Sequence, residues 1–299
     1  MKPMLAGKLN WDLLRYPVYV SAKVDGIRCI VQGGEPRSRT WKVLPNKSLQ
    51  GAVHHGAEVL EGIDGEIVVG SPNAPNVYNA TMSGIMAEYT TPAFTYLVFD
   101  WVGSPRLDYY DRLGHVQNRA DRFPNWVQVR PQVLCRNREE VEAIEEQHVS
   151  EGYEGIIVRS PTAPYKFNRS TVKEGYLLKL KRYADAEARV IGWDELMHND
   201  NPGYIDAQGH TRHTSHQAGQ RAGGILGALR VQLLESPGQP VVFSIGTGFD
   251  MAQREALWTV REGLIGKTVK FKYMPHGVLD TTGVPRHPVF LGFRDKSDM

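Results

Sequence analysis

The stretch VSAKVDGIRC, residues 20–29, places Lys23 among apolar side chains that alternate as in a β-strand. An ammonium group is costly to desolvate, so a lysine among apolar side chains calls for a structural or functional explanation. One interpretation makes Asp25 and Gly26 an ordinary hairpin turn, in which the pair supplies positive φ angles and Lys23 is a surface residue. The other makes the turn direct a nucleophilic lysine into a nucleotide pocket. The turn would join strands predicted at 18–24 and 27–32.

The composition is that of a globular protein with room for two domains. The chain has 299 residues, of which 41% are hydrophobic and 23% charged, and its net charge of +2 identifies no class of partner. No apolar run approaches the roughly 20 residues that span a bilayer. The first residues, MKPMLAGKLN, lack the apolar core of a secretory signal. We therefore expect no membrane association and a cytoplasmic, intracellular protein.

The two cysteines, Cys29 and Cys135, are far apart, and each lies in a strand-like run. They lack the spacing of a zinc site and are too few for a disulfide framework. We expect both to be buried free thiols.

The pattern of elements predicts an α+β fold in two domains. Strand-like segments dominate the first part of the chain, and REEVEAIEEQHVS has helical periodicity over 138–150. Beyond about residue 182 the pattern becomes five strands with one helix between the third and the fourth, which is the order of an OB-fold β-barrel. We expect domains at 1–183 and 184–299. The other predicted strands are 63–69, 94–101, 155–159, 175–181, 186–193, 225–235, 240–246, 268–273 and 288–294, with a second, short helix at 250–260.

A polar segment, residues 198–224, separates the first two strands of the predicted barrel. Polar segments of this length are often either idle, disordered loops or functional, and the sequence favours neither. In the functional alternative, Arg212 and Arg221 contact phosphates. The histidines of the segment, His213 and His216 among them, lack the spacing of a metal site.

Further residues suited to nucleotide chemistry occur in order along the chain. IDGEIVVG places Glu66 in a strand after a tight turn, and YLVFDWV places Phe99 late in an apolar strand. EGYEGIIVRS places Glu154 just before a buried-strand pattern, and YLLKLK places Lys179 and Lys181 on one face of a strand. Carboxylates hold divalent cations, an aromatic ring stacks on a base, and further cations bind phosphates.

Each of these residues also has a purely structural interpretation. The glutamates suit turn caps, Phe99 suits a core, and the two lysines suit the exposed face of an edge strand. Taken separately, these interpretations do not account for the order and spacing of the whole set.

The ordered motifs KVDGIR, SRTWK, DGEI, VFDW, EGIIVR and KLK resemble those of the ATP-dependent DNA ligases, within the superfamily of covalent lysine nucleotidyltransferases. The resemblance covers nearly the whole chain, from KPMLA at 2–6 to RHPVFLGFRDK at 286–296, and the length is that of the minimal viral or phage type. It implies an adenylation domain of antiparallel sheets with helices, followed by an OB domain, in an enzyme that a phage could supply to a bacterial host.

The resemblance also implies roles for individual residues. Lys23 would be the adenylated nucleophile, and Arg28 and Arg39 would contact the nucleotide or the nick phosphate. Glu66 would bind the ribose or a metal-bound water, and Phe99 would stack on adenine. Lys179 and Lys181 would bind the α-phosphate. Glu154, together with Glu66, is the implied metal ligand, and Arg39 and Lys42 are implied DNA contacts.

Two positions depart from the family pattern. Arg159 stands where many relatives have lysine, which keeps the charge of a nucleotide-binding residue. The final motif reads FRDK rather than a clear R-x-D-K, so that Arg294 and Lys296 are weaker matches to the residues that orient pyrophosphate.

The implied activity is the sealing of nicked duplex DNA in three transfers. Lys23 attacks the α-phosphorus of ATP, the adenylyl group passes to the 5′-phosphate at the nick, and the 3′-hydroxyl then displaces AMP. A protonated lysine is a poor nucleophile, and neighbouring cations and a bound metal would disfavour its ammonium form. The implied cofactors are ATP and Mg²⁺, with Mn²⁺ as a substitute. We expect a monomer, with residues 198–224 folded across the duplex as a clamp.

Three alternatives remain open at this point. An RNA ligase shares a similar first domain, and an mRNA capping guanylyltransferase shares the lysine motif and the OB domain. A non-enzymatic OB-type nucleic-acid-binding protein is the third, but it leaves Lys23, Glu66 and Glu154 unexplained.

Overall fold

The computed structural model describes residues 2–205, 211–234, 239–275 and 283–294. The chain forms two compact units, whose main division lies between Lys181 and Arg182, with Ile205 grouped with the first unit. Both units combine strands and helices, which confirms the α+β prediction. Within the described ranges, none of the helices has the length and apolar character needed to span a membrane.

The first unit contains twelve strands and five helices. The strands are β1 (Met4–Leu5), β2 (Gly7–Lys8), β3 (Val18–Ala22), β4 (Ile27–Gln32), β5 (Glu35–Arg37), β6 (Ile63–Val69), β7 (Phe94–Trp101), β8 (Val127–Val129), β9 (Val133–Cys135), β10 (Gly155–Arg159), β11 (Asn168–Arg169) and β12 (Leu177–Lys181). The helices are α1 (Lys47–His55), α2 (Ala57–Leu60), α3 (Val77–Ile85), α4 (Tyr109–Gln117) and α5 (Arg138–Ser150), with short 3-10 helices at Trp11–Leu13 and Ala120–Arg122. The predicted bounds of β4, β6, β7, β10 and α5 are confirmed to the residue.

Two five-stranded sheets organise this unit. One has the order β2-β12-β10-β3-β9, and the other has the order β5-β4-β6-β7-β8. The hairpin interpretation of residues 18–32 is therefore wrong, because β3 and β4 belong to different sheets. The chain crosses from one sheet to the other directly after Lys23.

Gly26 makes this crossing possible through its lack of a side chain. The hairpin interpretation expected a positive φ angle at Gly26, but the φ angle of this residue does not lie in the positive range. A Cβ atom at this position would lie 2.3 Å from the carbonyl oxygen of Ile67 and 2.9 Å from Cγ of Glu66. Only glycine permits the chain to pass so close to β6.

The cores of the first unit lie against its two sheets. Tyr96 is fully buried, and its hydroxyl donates to the carbonyl oxygens of Cys29 and Ile63, at 3.0 and 2.9 Å. Cys29 and Cys135 are both buried and unbridged, as predicted. Asn137 caps α5, since its side-chain oxygen accepts the Glu140 N–H at 2.8 Å.

The second unit contains the OB-like strands and one helix. Its strands are β13 (Ala184–Asn199), β14 (Gly203–Ile205), β15 (Thr211–His213), β16 (Gln220–Leu233), β17 (Val242–Ile245), β18 (Thr268–Met274) and β19 (Arg286–Phe293). Helix α6 (Met251–Thr259) lies between β17 and β18, and short 3-10 helices span Gln217–Gly219 and Arg261–Leu264.

Along the chain, α6 lies between the third and the fourth of the five strands of this sheet, as predicted for an OB-fold, and the strands pair in the order β17-β16-β13-β18-β19. The outermost strands meet near a parallel bridge between Thr247 and Val289, where the Phe290 N–H donates to the Thr247 carbonyl oxygen at 2.9 Å. Over the described part of the chain this bridge does not extend into a ladder, so the expected barrel is partly open rather than closed.

The polar segment 198–224 is not a simple loop between strands. Strands β13 and β16 continue into it as a two-stranded ribbon, paired out to Asn199 opposite Gln220. Strands β14 and β15 pair beyond that point. Asn201 holds the end of the ribbon, because its side-chain amide donates to the carbonyl oxygens of Thr214 and His216 at 3.0 and 2.9 Å.

The crossing at Gly26 leads to a test of stability. Gly26→Ala should lower the free energy of unfolding by about 1–3 kcal/mol, because β6 must shift to admit the methyl group. Gly51→Ala is the matched control, since a Cβ at this position in α1 meets nothing within 4 Å, and it should stabilise the protein slightly. Urea unfolding of both variants measures the two effects, and equal stabilities would contradict the role assigned to Gly26.

Candidate active site

A cavity lies between the two sheets of the first unit. It is lined by side chains from both sheets, which include Ser21, Lys23, Arg28, Glu66, Leu97, Phe99, Ile157, Arg159, Leu177 and Lys179, and by Leu5, Ala6, Arg39, Arg130 and Arg169 from other segments. The cavity measures about 970 Å³ when the open space at its mouth is included. Its wall combines apolar side chains with seven cationic side chains and one carboxyl group, that of Glu66.

Lys23 lies at the sheet crossing and is held by its backbone and by its side chain. Its N–H donates to the carbonyl oxygen of Gly155 at 2.8 Å. Its Nζ forms an ion pair with Glu154, and Lys181 forms an ion pair with the other oxygen of the same carboxylate. In this arrangement one carboxylate binds the side chains of both lysines.

Glu154 is 3% exposed. Burial alone would raise the pKa of this carboxyl, but the ammonium groups of Lys23 and Lys181 outweigh it and lower the pKa below its ordinary value. Glu154 therefore carries a full negative charge at neutral pH, at the one place where two of the predicted catalytic lysines meet.

Arg28 is fixed by a carboxylate that the sequence analysis did not single out. Its Nε and Nη2 donate to the two oxygens of Asp64 at 2.6 and 2.7 Å, and the Tyr165 hydroxyl donates to Asp64 at 2.6 Å. Asp64 is fully buried. Burial would lower the pKa of Arg28, but Asp64 outweighs it and raises the pKa. Asp64 lies in the same DGE motif as Glu66, so this motif could have identified Asp64 as a site residue from the sequence.

Phe99 lies beside two guanidinium groups. Those of Arg28 and Arg159 are 4.8 and 4.9 Å from the centre of its ring. Arg159 is buried and donates to Asp100 at 2.8 Å, and Arg112 donates to the same carboxylate at 2.8 Å. The ring and both of its cationic neighbours are therefore held in fixed positions in the cavity wall.

Glu66 is half-buried in the cavity wall. Burial raises its pKa to about 7, although Arg28 and Lys23 pull it down. The group therefore exists as both carboxyl and carboxylate near neutral pH.

Lys179 lines the cavity, and Lys181 lies two residues further on the same face of β12. Burial lowers the pKa of Lys179, and the charges of Lys181 and Lys23 lower it further. The edge-strand interpretation is wrong at Lys179, since β12 pairs there with β10 on one side and with β2 on the other.

Of the other predicted residues in the first unit, Arg39 lines the cavity. Lys42 is exposed and does not line it. In the second unit, Arg294 pairs with Glu187, with Nε 2.6 Å from Oε1, and Arg221 pairs with Asp200 at 3.2 Å. Arg212 is exposed on β15, and Lys296 lies outside the described residues.

Two charged residues of the cavity wall lie outside the motifs that the sequence analysis singled out. Arg169 belongs to a basic run, KFNRSTVKEGYLLKLKR, whose charge alone could not distinguish it from its neighbours. Arg130 follows β8 and belongs to none of the motifs.

Comparison with known proteins assigns both parts of the chain. Residues 3–181 match the family model described as the ATP dependent DNA ligase domain. Residues 219–294 match the DNA ligase OB-like domain. No curated protein matches the chain.

Solved structures of similar proteins span the same length. The chain is 32% identical to a Chlorella virus DNA ligase-adenylate, with 98% of this chain and 99% of that one covered and a TM-score of 0.55. A Lig E DNA ligase is 24% identical, with 98% and 99% covered and a TM-score of 0.73. The ATP-dependent DNA ligase from bacteriophage T7, solved with ATP, is 16% identical, with 98% of both chains covered and a TM-score of 0.50. The last two show a shared fold.

The raised pKa of Glu66 leads to a test of stability against pH. A carboxyl group whose pKa rises from 4.5 to about 7 on folding stabilises the protein fully below pH 4.5, and this contribution is lost as the pH rises through 7. Glu66→Gln is neutral at every pH, so its melting temperature relative to the parent protein should rise from pH 5 to pH 8 and then level off. Calorimetric melting curves measure the difference. Glu146→Gln, on an exposed position of α5, is the matched control, and a rise of equal size there would contradict the assignment.

Proposed function

The chain belongs to the ATP-dependent DNA ligases, and we propose that Lys23 is the residue through which it acts. The chain is accordingly an enzyme that uses ATP to join DNA strands. The observation that carries the residue assignment is the position of Lys23 in a cavity that also contains Phe99, Arg28 and Lys179. The family assignment favours this activity over RNA ligation and mRNA capping.

Lys23 would act as the nucleophile that takes the adenylyl group. An amine attacks only in its neutral form, so Nζ must leave the Glu154 carboxylate and lose its proton before attack. Arg28, Lys179 and Lys181 would stabilise the negative charge that develops on the phosphate oxygens. The bond from Lys23 Nζ to the α-phosphorus forms as pyrophosphate leaves.

The residues present fit a divalent cation bound together with ATP. Magnesium in nucleotide sites is usually held by one or two carboxylates, with substrate phosphates and waters completing the shell. Glu154 and Glu66 would supply these carboxylates, and the described residues contain no group of three or more acidic, His or Cys side chains that would form an all-protein site. Mg²⁺, or Mn²⁺ in its place, would neutralise charge on the phosphates.

The nucleoside would lie against Phe99. The ring faces the cavity, and Arg28 and Arg159 fix its position. Glu66 would receive the ribose, since a carboxyl group that is partly protonated at pH 7 can both donate and accept a hydrogen bond. Lys179 and Lys181 would bind the α-phosphate.

The second unit would contribute to DNA binding and to pyrophosphate release. We assign residues 1–183 to adenylation and 184–299 to the OB domain, with Arg294 and Lys296 as the residues that orient pyrophosphate. A nick in duplex DNA is the proposed substrate, bound by a monomer. Arg39, Lys42, Arg212 and Arg221 would contact DNA phosphates, so affinity should depend strongly on salt and little on sequence.

The role of Lys23 can be tested with α-labelled ATP. Wild-type protein incubated with labelled ATP and Mg²⁺ should retain the label on a denaturing gel, whereas α-labelled GTP should leave none. Lys23→Ala should lose the adduct entirely. Lys23→Arg should lose it as well, although its cation can still pair with Glu154. Lys8→Ala, an exposed lysine of β2, is the control, and label on the Lys23→Ala protein would refute the assignment.

The clamp can be tested by shortening the ribbon. Because Asn199 and Gln220 are paired opposite each other, residues 200–219 can be replaced by an Asn-Gly turn without loss of the OB strands. The shortened protein should bind nicked duplex at least tenfold more weakly and with a smaller salt dependence, since phosphate contacts are lost. A gel-shift titration at several salt concentrations measures both quantities. An unchanged affinity would exclude the clamp.

A further inference from the structure

A buried tyrosine outside the motifs is bound to the first carboxylate of the DGE motif. Tyr165 packs in an apolar cluster with Met4 and Leu177. Its hydroxyl donates to Oδ2 of Asp64 at 2.6 Å and accepts the Met4 N–H at 3.2 Å. Burial raises the pKa of Tyr165 well above its ordinary value, and the charge of Asp64 raises it further. The hydroxyl therefore keeps its proton and remains a donor to Asp64.

The two hydrogen bonds of Tyr165 complete a ring of four residues. Asp64 accepts from Nε and Nη2 of Arg28 at 2.6 and 2.7 Å. The same Nη2 donates to the carbonyl oxygen of Met4 at 3.3 Å. Tyr165 connects Asp64 to Met4 and thereby closes the ring. The guanidinium group of Arg28 is fixed by two partners, and Tyr165 binds both of them.

The ring reaches the cavity through its other members. Arg28 lines the cavity, its side chain is 15% exposed, and its Nη1 takes part in none of these bonds. Met4 is followed by Leu5 and Ala6, which also line the cavity. Tyr165 does not line it. The hydroxyl therefore holds groups that border the ligand site and does not touch the ligand.

We propose that Tyr165 is a positioning residue of the adenylation reaction, whose hydroxyl orients Asp64 so that Arg28 presents Nη1 to the α-phosphate of ATP. This assignment rests on the proposed function. A donor stabilises developing charge only if it already points to the place where that charge appears. Two paired side chains, such as those of Asp64 and Arg28, can shift together. The hydroxyl on the rigid ring of Tyr165 ties this pair to the backbone of β1 and prevents the shift.

Tyr165→Phe removes the hydroxyl and keeps the ring. Tyr96→Phe is the matched control, because Tyr96 is likewise buried and its hydroxyl also makes two hydrogen bonds, both to backbone carbonyl oxygens. Both variants should melt at a lower temperature than the wild-type protein, since each leaves buried polar groups unpaired. Rates are compared well below both melting transitions, so that a difference between the variants does not come from unfolding.

The measurement is the rate of adduct formation from α-labelled ATP, over a range of ATP concentrations, with protein first freed of AMP by pyrophosphate. Tyr165→Phe should lower the maximal rate about tenfold and leave the half-saturating ATP concentration nearly unchanged, because Arg28 meets charge that develops during the transfer. Tyr96→Phe should leave both quantities nearly unchanged. An unchanged maximal rate in Tyr165→Phe would overturn the proposal, and so would an equal fall in Tyr96→Phe.

A double variant determines whether Tyr165 acts through Arg28. Arg28→Lys keeps a cation that can pair with Asp64 but removes the guanidinium group. Because the hydroxyl is proposed to act only by orienting Arg28, adding Tyr165→Phe to Arg28→Lys should lower the maximal rate no further. A further fall of about tenfold in the double variant would overturn the proposal, since independent effects multiply in this way.

Failure of the lysine assignment would give a different result. The wild-type protein would then form no adduct, or Lys23→Ala would retain the label. Failure of the Tyr165 assignment would leave the wild-type adduct on Lys23 intact. It would appear only when Tyr165→Phe is compared with Tyr96→Phe and with the Arg28→Lys background.

Discussion

The close approach of Gly26 to the carbonyl oxygen of Ile67 is the constraint on which the rest of the site depends. Strands β3 and β4 belong to different sheets, and the few residues between them must pass directly along β6. Lys23 lies at the start of this passage, with its backbone bonded to Gly155 of β10. The same short segment thus joins the two sheets, borders the cavity between them and positions Lys23, the proposed nucleophile, in it. A side chain at residue 26 would separate β4 from β6, and with them Arg28 from Glu66.

Ion pairs fix the remaining cations around this crossing. Asp64 holds Arg28, Asp100 holds Arg159 and Arg112, and Glu154 holds Lys23 and Lys181. Such pairs contribute little net stability, because desolvation offsets most of the attraction, but removal of one partner costs about 3–5 kcal/mol. The main effect of these ion pairs in this chain is to fix the positions of the cations. Each carboxylate sets the direction of a cation that faces the cavity, and the anions of a nucleotide would meet charges that are already in place.

Features that depend on neighbouring residues in the sequence could be predicted, whereas features that depend on residues far apart in the chain could not. The bounds of β6, β7, β10 and α5 were predictable because alternation and helical periodicity are local properties. The pairing of β3 was not, since the Asp25-Gly26 dipeptide is typical of a hairpin and the true partners, β9 and β10, lie far along the chain. The ribbon at Asn199 and Gln220 was missed for a related reason, because its polar sequence has the composition of a loop and is ordered by cross-strand pairing. Motif resemblance singled out seven residues that line the cavity, Lys23, Arg28, Arg39, Glu66, Phe99, Arg159 and Lys179, whereas Arg130 belongs to no motif and only the structure places it there.

The two unused donors in the cavity wall bear on how a ligand would be held. The Nε atoms of Arg130 and Arg159 are both buried without a hydrogen-bond partner in the described part of the chain, and both residues line the cavity. Each guanidinium is already anchored elsewhere, Arg159 by Asp100 and Arg130 by Tyr153, so neither can turn to satisfy Nε without breaking a contact. Both atoms are covered while the cavity is empty, so they add to the desolvation cost of the folded wall and not to the surface that a ligand meets. Binding to such a wall needs little side-chain reorganisation, which lowers the entropic cost of holding a nucleotide in position.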